Sequence, residues 1–336
     1  MRAWEITGAF GLDHLALVTR EPAPLGTHEV RIAVKAVSLN YRDHLMVGGS
    51  YDPRLKLPIS PCSDASGEIV EIGSGVKRFA IGDRVITSFA QRWISGAPTL
   101  EKLRSTLGGP LAGTLATELV LSEEGCVRAP TRLSHEQACT LSCAALTAWH
   151  ALVDQGALAA GQTVLVQGSG GVSVFALQIA RMMGARVIAT SSSADKRARL
   201  EAMGAFATVD YRADRDWGKT VKQRAEGRGV DHVVEVGGAG TLAQSLRAVA
   251  VGGIVHVIGI LSGSSEPLSI TPILMNEVRL QGIMVGPRES LEALVRAVDA
   301  STLEPVIDRV LPFDEAPAAF AHLASGAHFG KVVLAV

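Results

Sequence analysis

Short apolar runs separated by glycine and proline dominate the first third of the chain. The stretches VRIAVKAVSL (30–39), GEIVEIG (67–73) and DRVITSF (83–89) are rich in Val, Ile and Thr. β-Branched residues bounded by turn-forming residues are typical of strands. The pattern therefore predicts a compact, mostly antiparallel β-domain at the start of the chain.

The pattern changes near residue 133. The segment 133–155 carries Ala and Leu with few helix breakers, and Ser134 with Gln137 three residues later has the form of a helix start, so we expect one or two helices. From residue 162 onward apolar strands alternate with helices. Buried strands between helices indicate a parallel sheet covered on both faces. The predicted strands are 162–168, 185–191, 207–212, 231–238, 252–260 and 278–286, and the first two helices are 172–184 and 194–205.

Composition narrows the class of protein. At 336 residues the chain is long for one core, so two domains are expected. The 32 basic and 33 acidic residues balance, which argues against nucleic acid or an acidic membrane as the main partner. No apolar run approaches the roughly 18 residues of a membrane span, and the N-terminus lacks the pattern of a signal peptide. We expect a cytoplasmic protein whose four cysteines form no disulfide framework.

A glycine-rich turn, GSGGVS (168–173), lies between the first buried strand and its helix. Glycine backbones allow a pyrophosphate to approach closely, and the helix N-terminus turns free N–H groups toward it. The turn predicts a dinucleotide site, although Ser173 stands where the usual motif has a third glycine. The residues expected to hold the dinucleotide here are Gly168, Ser169, Gly170, Gly171 and Val172.

The end of the second strand indicates which dinucleotide is bound. An NAD site places an acidic residue there for the ribose 2′-hydroxyl, whereas this chain has Ser191 and Ser192 with Lys196 one turn later. Hydroxyl groups and a cation favour a 2′-phosphate. We therefore expect NADPH as the cofactor, with Arg197 left open between a second phosphate ligand and a solvated side chain.

With these elements placed, the chain resembles the medium-chain dehydrogenase/reductase superfamily along its whole length, on the motifs GDRV (82–85), LTAWHAL (146–152) and GKVVL (330–334). Within it, the chain is most similar to the zinc-independent quinone oxidoreductase branch. The resemblance implies an α/β fold with a GroES-like, β-rich catalytic domain and a Rossmann doubly wound parallel sheet. The implied boundaries are 1–126 for the first part of the catalytic domain, 127–286 for the Rossmann domain and 287–336 for the remainder of the catalytic domain.

The resemblance also locates the metal positions of zinc-dependent relatives. Their first cysteine ligand corresponds to Asn40, their histidine to Ser63 and its neighbouring glutamate to Asp64, while Cys143 is retained. A catalytic zinc needs about three ligands of thiolate, imidazole or carboxylate type, which Asn40 and Ser63 do not supply. We expect no metal. An unusual site made of Cys62, Asp64 and Cys143 stays as the alternative.

Without a metal, reduction of a conjugated carbonyl is the favoured chemistry, because donors can stabilise the enolate and a hydroxyl or water can deliver a proton. Four residues of the segment 39–51 are the catalytic candidates. Asn40 can face a substrate oxygen, and Asp43 fixes the local turn. Tyr51 corresponds to the tyrosine placed as proton donor in similar enoyl reductases, and Tyr41 is its rival.

The resemblance implies further cofactor contacts and a homodimer. Thr147 corresponds to a position touching the nicotinamide, and Tyr211 to a tyrosine beside the 2′-phosphate. Backbone groups of Gly259, Ile260 and Leu261 are expected to line the nicotinamide pocket, and Phe329 and Lys331 to approach the cofactor. The predicted function is NADPH-dependent, metal-free reduction of quinones or conjugated enone and enoyl substrates. The alternatives are a zinc-type alcohol dehydrogenase or carbonyl reductase with an unusual metal site, and a non-catalytic NADPH-binding protein.

Overall fold

The computed structural model describes every residue from Met1 to Val336 and divides the chain into two compact units. Unit 1 comprises Met1–Leu146 and Gly286–Val336, and unit 2 comprises Thr147–Val285. The second boundary lies one residue from the predicted one. The first lies after Leu146 rather than after residue 126, because the helical segment that follows packs on unit 1. Within that segment, Cys139 is buried against Ala36 and Val333.

Unit 1 contains a seven-stranded sheet and a separate two-stranded ribbon, as the strand-rich pattern predicts. The order in the sheet is β14-β15-β3-β4-β5-β7, with β6 paired to part of β3, and all pairs are antiparallel except β14–β15. The ribbon is β1 (Arg2–Ile6) with β2 (Leu15–Thr19). The sheet strands are β3 (Glu29–Leu39), β4 (Asp64–Ile72), β5 (Arg84–Thr87), β6 (Glu118–Ser122), β7 (Cys126–Arg128), β14 (Ile307–Pro312) and β15 (Lys331–Ala335).

Close packing of β3 on β4 explains one glycine of unit 1. A Cβ atom on Gly67 would lie 2.3 Å from the carbonyl oxygen of Ala33 and 2.7 Å from the side chain of Ile32, so only glycine fits there. The inward-facing side chains of the sheet form a core that includes Ile32, Ile69 and Val332. The helices of unit 1 are α1 (Tyr41–Val47), α2 (Leu100–Leu103), α3 (His135–Ala138), α10 (Arg288–Asp299) and α11 (Ala316–Ala324).

Unit 2 contains a six-stranded sheet in the order β10-β9-β8-β11-β12-β13, with every pair parallel. This is the strand order of a doubly wound dinucleotide-binding fold, and its order reverses between β8 and β11. The strands are β8 (Thr163–Gln167), β9 (Arg186–Thr190), β10 (Ala207–Val209), β11 (Val230–Glu235), β12 (Val249–Val257) and β13 (Arg279–Gly282). The helices are α5 (Gly171–Met182), α6 (Ala194–Ala202), α7 (Trp217–Arg224), α8 (Ala239–Ala248) and α9 (Thr271–Met275).

The segment predicted as one or two helices is divided more finely. After α3 come a 3-10 turn (Cys139–Leu141), α4 (Ala144–Trp149) and a π-helical turn (His150–Gln155). The predicted helix start is confirmed, because Ser134 and Gln137 each accept a hydrogen bond from the backbone N–H of the other residue. No helix of the structure has the length and apolar character that a membrane crossing requires.

A hydrogen-bonded histidine pair lies inside unit 2, on β11 and β12. His232 and His256 are almost fully buried, with ring centroids 5.5 Å apart. The amide oxygen Oε1 of Gln162 accepts a hydrogen bond from the backbone N–H of Ala159. Because an amide oxygen only accepts, its 3.1 Å contact with His232 Nε2 requires the proton to be on Nε2. His232 Nδ1 is therefore an acceptor, and the proton of the 3.2 Å bond between the two rings belongs to His256 Nε2. Both rings are neutral in this arrangement.

Candidate active site

Four buried polar side chains meet at one edge of the unit 1 sheet: Asn40, Asp43, Asp64 and Lys331. The pairing of strands explains why residues so distant in sequence lie together. Strand β3 is flanked by β4 and β15, with Ser38 opposite Asp64 and Leu39 opposite Val332. The residues that follow β3 and begin its two neighbours therefore reach the same edge.

The carboxylate of Asp43 caps the start of α1. Its Oδ2 accepts a 2.8 Å hydrogen bond from the backbone N–H of Asn40, while the N–H of Asp43 bonds the carbonyl oxygen of Asn40. Burial raises the pKa of the Asp43 carboxyl to about 7, and the Arg42 guanidinium opposes that rise. This contact closes the turn between β3 and α1.

The ammonium group of Lys331 is held inside the cluster. Its Nζ donates to the carbonyl oxygen of Leu39 at 2.6 Å and to Asn40 Oδ1 at 2.5 Å. Burial raises the pKa of Asp64, and the Lys331 charge opposes this most, followed by the hydroxyl of Ser63, which donates to Asp64 Oδ1 at 2.6 Å. A lysine is almost never buried without partners, so these contacts are what make its position possible.

The zinc of related dehydrogenases does not fit this cluster. The structure brings together no group of three or more His, Cys, Asp or Glu side chains that could hold a metal ion. Burial, with the Asp64 charge as a further cause, raises the pKa of the Cys62 and Cys143 thiols, whereas metal binding needs thiolates. The Lys331 ammonium already supplies positive charge beside Asp64. These observations weigh against the alternative site of Cys62, Asp64 and Cys143.

The guanidinium of Arg42 links Tyr51 to the backbone of residues 107–109. Its guanidinium donates to the carbonyl oxygens of Leu107 at 2.8 Å and Gly109 at 2.6 Å. The guanidinium carbon lies 5.2 Å from the ring centre of Tyr51 and 5.0 Å from that of Phe89, which are cation–π distances. Sequence reasoning did not single out Arg42, although it stands between two candidates in the motif LNYRD (39–43).

The two tyrosine candidates are similarly exposed, but their rings contact different side chains. Tyr51 is 42% exposed and rests on Arg42, whereas Tyr41 is 41% exposed and contacts the ring of His44 at 5.8 Å. A partly exposed tyrosine can deliver a proton to a bound molecule. Of the two rings, Tyr51 is the one in contact with the Arg42 guanidinium.

The glycine turn of unit 2 suits a dinucleotide. Gly168 has φ +72°, and an added Cβ at Gly168 or Gly170 would have no atom within 4 Å, so both glycines border open space. The 12-residue helix α5 begins at Gly171 and points its N-terminus there. Ser173, at the third glycine position, is buried, and its hydroxyl donates to the Gln167 carbonyl oxygen at 2.6 Å. The serine thus closes the turn onto β8.

A buried network lies where the strand order of unit 2 reverses. The Glu235 carboxylate accepts from Gln167 Nε2 at 2.8 Å and from the backbone N–H groups of Gly237 and Gly238 at 2.9 Å. Thr241 and Ser245 hydroxyl groups also donate to it. The ends of β8 and β11 are tied together beside the glycine turn. Sequence reasoning missed this network, and its signal was a polar residue ending each of two apolar strands.

The residues after β9 form the expected polar turn. Ser193 caps α6 by accepting from the N–H of Lys196, and its own N–H bonds Ser191 Oγ at 3.4 Å. Arg197 is committed elsewhere, because its guanidinium donates to the carbonyl oxygen of Ser191 and to Asp210, each at 2.8 Å. Arg197 therefore neutralises an acidic residue near the turn instead of being solvated. Two further candidates lie here: Ser192 is partly exposed and Tyr211 is exposed.

Several candidates have contacts that differ from those expected. The backbone N–H groups of Gly259 and Leu261 donate to the carbonyl oxygens of Glu235 and Val236 within unit 2. These two N–H groups are therefore already bonded and do not face a cofactor. Phe329 and Lys331 are buried in unit 1, at 1% and 3% exposed, and the Lys331 ammonium donates to Asn40. Neither side chain reaches the surface of unit 1, where a cofactor was expected to approach. Thr147 is buried, while Ile260 and Leu261 are about half exposed.

Comparison with known proteins agrees with this architecture. The model of the alcohol dehydrogenase GroES-like domain matches residues 26–131, and that of the zinc-binding dehydrogenase matches residues 171–300. The zinc-type alcohol dehydrogenase-like protein C1773.06c of Schizosaccharomyces pombe is 38% identical over 97% of this chain and 96% of its own length. A solved structure described as an alcohol dehydrogenase from Sinorhizobium meliloti 1021 is 43% identical, covers 100% of this chain and 98% of its own, and has a TM-score of 0.93.

Other relatives are named for reductions. The quinone oxidoreductase-like protein 2 homolog of Nematostella vectensis is 29% identical over 92% of this chain and 82% of its own length. The structure of the 2-octenoyl-CoA carboxylase reductase CinF, in complex with NADP and 2-octenoyl-CoA, is 26% identical, covers 96% of this chain and 82% of its own, and has a TM-score of 0.88.

The GroES-like unit and the Rossmann-like parallel sheet define an oxidoreductase class. The chain belongs to the medium-chain dehydrogenase/reductase superfamily, and the prediction made from its motifs is confirmed.

Proposed function

We propose that the protein is an NADPH-dependent, metal-free reductase of quinones or conjugated enone and enoyl substrates. The observation that carries this proposal is the cluster itself, in which a buried ammonium contacts Asn40, the residue that the resemblance aligns with the first metal ligand of zinc-dependent relatives. Such a site offers hydrogen-bond donors rather than a Lewis acid. Conjugated carbonyl compounds suit donors because the negative charge spreads over an enolate.

A bound NADPH would supply hydride to the β-carbon of the substrate. The carbonyl oxygen then gains the electron pair, and Asn40 is the donor proposed to stabilise it. Hydrogen-bond donors aimed at such an oxyanion contribute about 3–4 kcal/mol to catalysis. Tyr51, in contact with Arg42, is proposed to give a proton to the α-carbon of an enone or to the enolate oxygen of a quinone adduct, which then tautomerises to the hydroquinone. Tyr41 is the alternative proton donor.

The preference for NADPH is supported by the turn after β9. Ser191, Ser192 and Lys196 are the proposed partners of the 2′-phosphate, with Tyr211 beside it. Asp210 is the acidic group nearby, and its ion pair with Arg197 reduces the repulsion that a phosphate would meet. The remaining contacts are proposed to come from the glycine turn 168–172, Thr147 and the loop 259–261.

One activity screen tests this function. The purified protein is assayed for reduction of a quinone, an enone, an enoyl thioester and a saturated aldehyde, with NADPH and with NADH. Oxidation of a primary alcohol is assayed with the two oxidised cofactors. We expect turnover of the conjugated acceptors with NADPH and no loss on dialysis against EDTA. Activity restricted to the alcohol or aldehyde, with stoichiometric zinc by elemental analysis, would establish the zinc-type alternative. Cofactor binding without turnover of any acceptor would establish the non-catalytic one.

A homodimer is part of the proposal. Strand β13 is an edge strand of the unit 2 sheet, and the neighbouring helix α9 exposes Leu274 (76%), Met275 (71%) and the preceding Ile270 (71%). Unpaired edges and contiguous apolar side chains are typical of interfaces. Sedimentation velocity should give a mass twice that of the 35.2 kDa chain, and Leu274→Glu should convert it to the monomer. The cytoplasmic location stays a prediction.

A further inference from the structure

Lys331 is a charged side chain to which the proposed mechanism assigns no contact with substrate or cofactor. It begins β15 in the interior of unit 1 and is 3% exposed. Its Nζ donates to two acceptors, the carbonyl oxygen of Leu39 and Asn40 Oδ1. Burial raises the pKa of Asp64, and the charge of Lys331 is the largest influence that lowers it. A cation is thus fixed beside the residue that replaces the first metal ligand.

The position of this cation decides how the Asn40 amide is turned. An ammonium group donates and does not accept, so the amide oxygen must face Lys331 and the NH2 group must face away. Asn40 Nδ2 is buried and has no hydrogen bond of normal geometry, but its NH2 group interacts with the Asp64 carboxyl, and this interaction helps to lower the pKa of Asp64. An NH2 group has two N–H bonds, so Asp64 leaves at least one donor for a bound molecule.

We infer that Lys331 is a positioning residue and a protein-borne replacement for the charge of the metal, which holds the Asn40 amide with its N–H donor turned toward the substrate oxygen. This inference rests on the proposed reduction of conjugated carbonyl compounds. It differs from a purely structural role, because it requires the effect of Lys331 on turnover to pass through Asn40.

A double-mutant cycle tests the coupling. Wild type, Lys331→Met, Asn40→Ala and the double variant are compared for kcat with an enone and for the dissociation constant of NADPH. We expect Lys331→Met to lower kcat at least tenfold in the wild-type background and less than twofold in the Asn40→Ala background, with cofactor affinity changed less than twofold. Lys331→Arg should restore part of the loss. Equal losses in the two backgrounds would overturn the inference.

The matched control is Lys35→Met. Lys35 is an exposed lysine on β3 of the same sheet, and its replacement removes an identical side chain and charge. We expect kcat of this variant to stay within twofold of wild type. If Lys331→Met does not fold, Lys331→Arg is compared in the wild-type and Asn40→Ala backgrounds. The inference predicts that Lys331→Arg lowers kcat when Asn40 is present and leaves it unchanged when Asn40 is replaced by alanine.

A second measurement does not depend on activity. The sequence contains only two asparagines, Asn40 and Asn276, so asparagine-selective 15N labelling gives two side-chain NH2 signals. We expect the Asn40 NH2 group to exchange with solvent at least tenfold more slowly than that of Asn276, and Lys331→Met to remove most of this difference. An unchanged Asn40 signal would overturn the inference. If no acceptor in the screen is reduced, the proposed function fails while this spectrum still tests the contact.

Discussion

The buried histidine pair of unit 2 makes acid sensitivity a measurable property of the fold. Both rings are neutral, and the tautomers derived from Gln162 leave no place for a second proton between His232 and His256. Burial, followed by the influence of His232, lowers the pKa of His256 from 6.5 to about 3. The unfolded chain therefore binds a proton at His256 from about pH 6.5 downward, while the folded chain does not until about pH 3.

The sign and size of the effect follow from linkage. Because the unfolded state binds more protons, the stability contributed by a neutral His256 is complete above pH 6.5 and is lost as pH falls toward 3. Each pH unit in this window costs about 1.4 kcal/mol per histidine. Between about pH 7 and about pH 4.5, His256 alone should therefore lower the free energy of unfolding by roughly 2–3 kcal/mol.

His256→Gln is the variant that tests this number, because a glutamine side chain keeps an N–H donor for His232 without a titrating ring. Urea unfolding followed by circular dichroism, at about pH 7 and about pH 4.5, gives the loss of stability for each protein. We expect the loss to be roughly 2–3 kcal/mol smaller in the variant than in wild type. His14→Gln, at an exposed histidine of unit 1, is the control. Equal losses in wild type and His256→Gln would refute the reasoning.

Three further changes address the cofactor, the proton donor and the packing. Lys196→Ala should raise the dissociation constant for NADPH about 10- to 100-fold, as expected for a charge-assisted hydrogen bond, and hardly change that for NADH in fluorescence titrations. Tyr51→Phe should lower kcat by about 100-fold or more with unchanged cofactor affinity, and unchanged turnover would end its proposed role. Gly67→Ala should destabilise the fold by about 1–3 kcal/mol or more, because its Cβ would meet the Ala33 carbonyl at 2.3 Å. Gly282→Ala, with nothing within 4 Å, is the control in urea unfolding.

Features that depend on neighbours in sequence were predictable. The helix start at Ser134 and Gln137 involves residues three apart, and the alternation of apolar strands with helices from residue 162 fixes a parallel sheet. The glycine turn could be recognised for the same reason, including Ser173 at its third position.

Features that depend on strand pairing were not predictable. Lys331 and Asn40 are separated by 291 positions, and only the pairing of β15 with β3 brings them together. Gln167 and Glu235 likewise meet only because β8 and β11 are neighbours where the strand order reverses. The boundary after Leu146 depends on which sheet the helical segment covers, and its composition does not contain that information.

The lysine at the start of β15 provides a positive charge that is encoded in the chain and is not acquired from a metal ion. A charge carried by the polypeptide arrives with translation, so the proposed metal-free function requires no delivery of a trace element. The proposed activity should therefore persist in cells starved of zinc. Building a zinc site like that of zinc-dependent relatives would require new ligands at Asn40 and Ser63 and, under the inference above, the loss of Lys331, so the number of replacements rises by one.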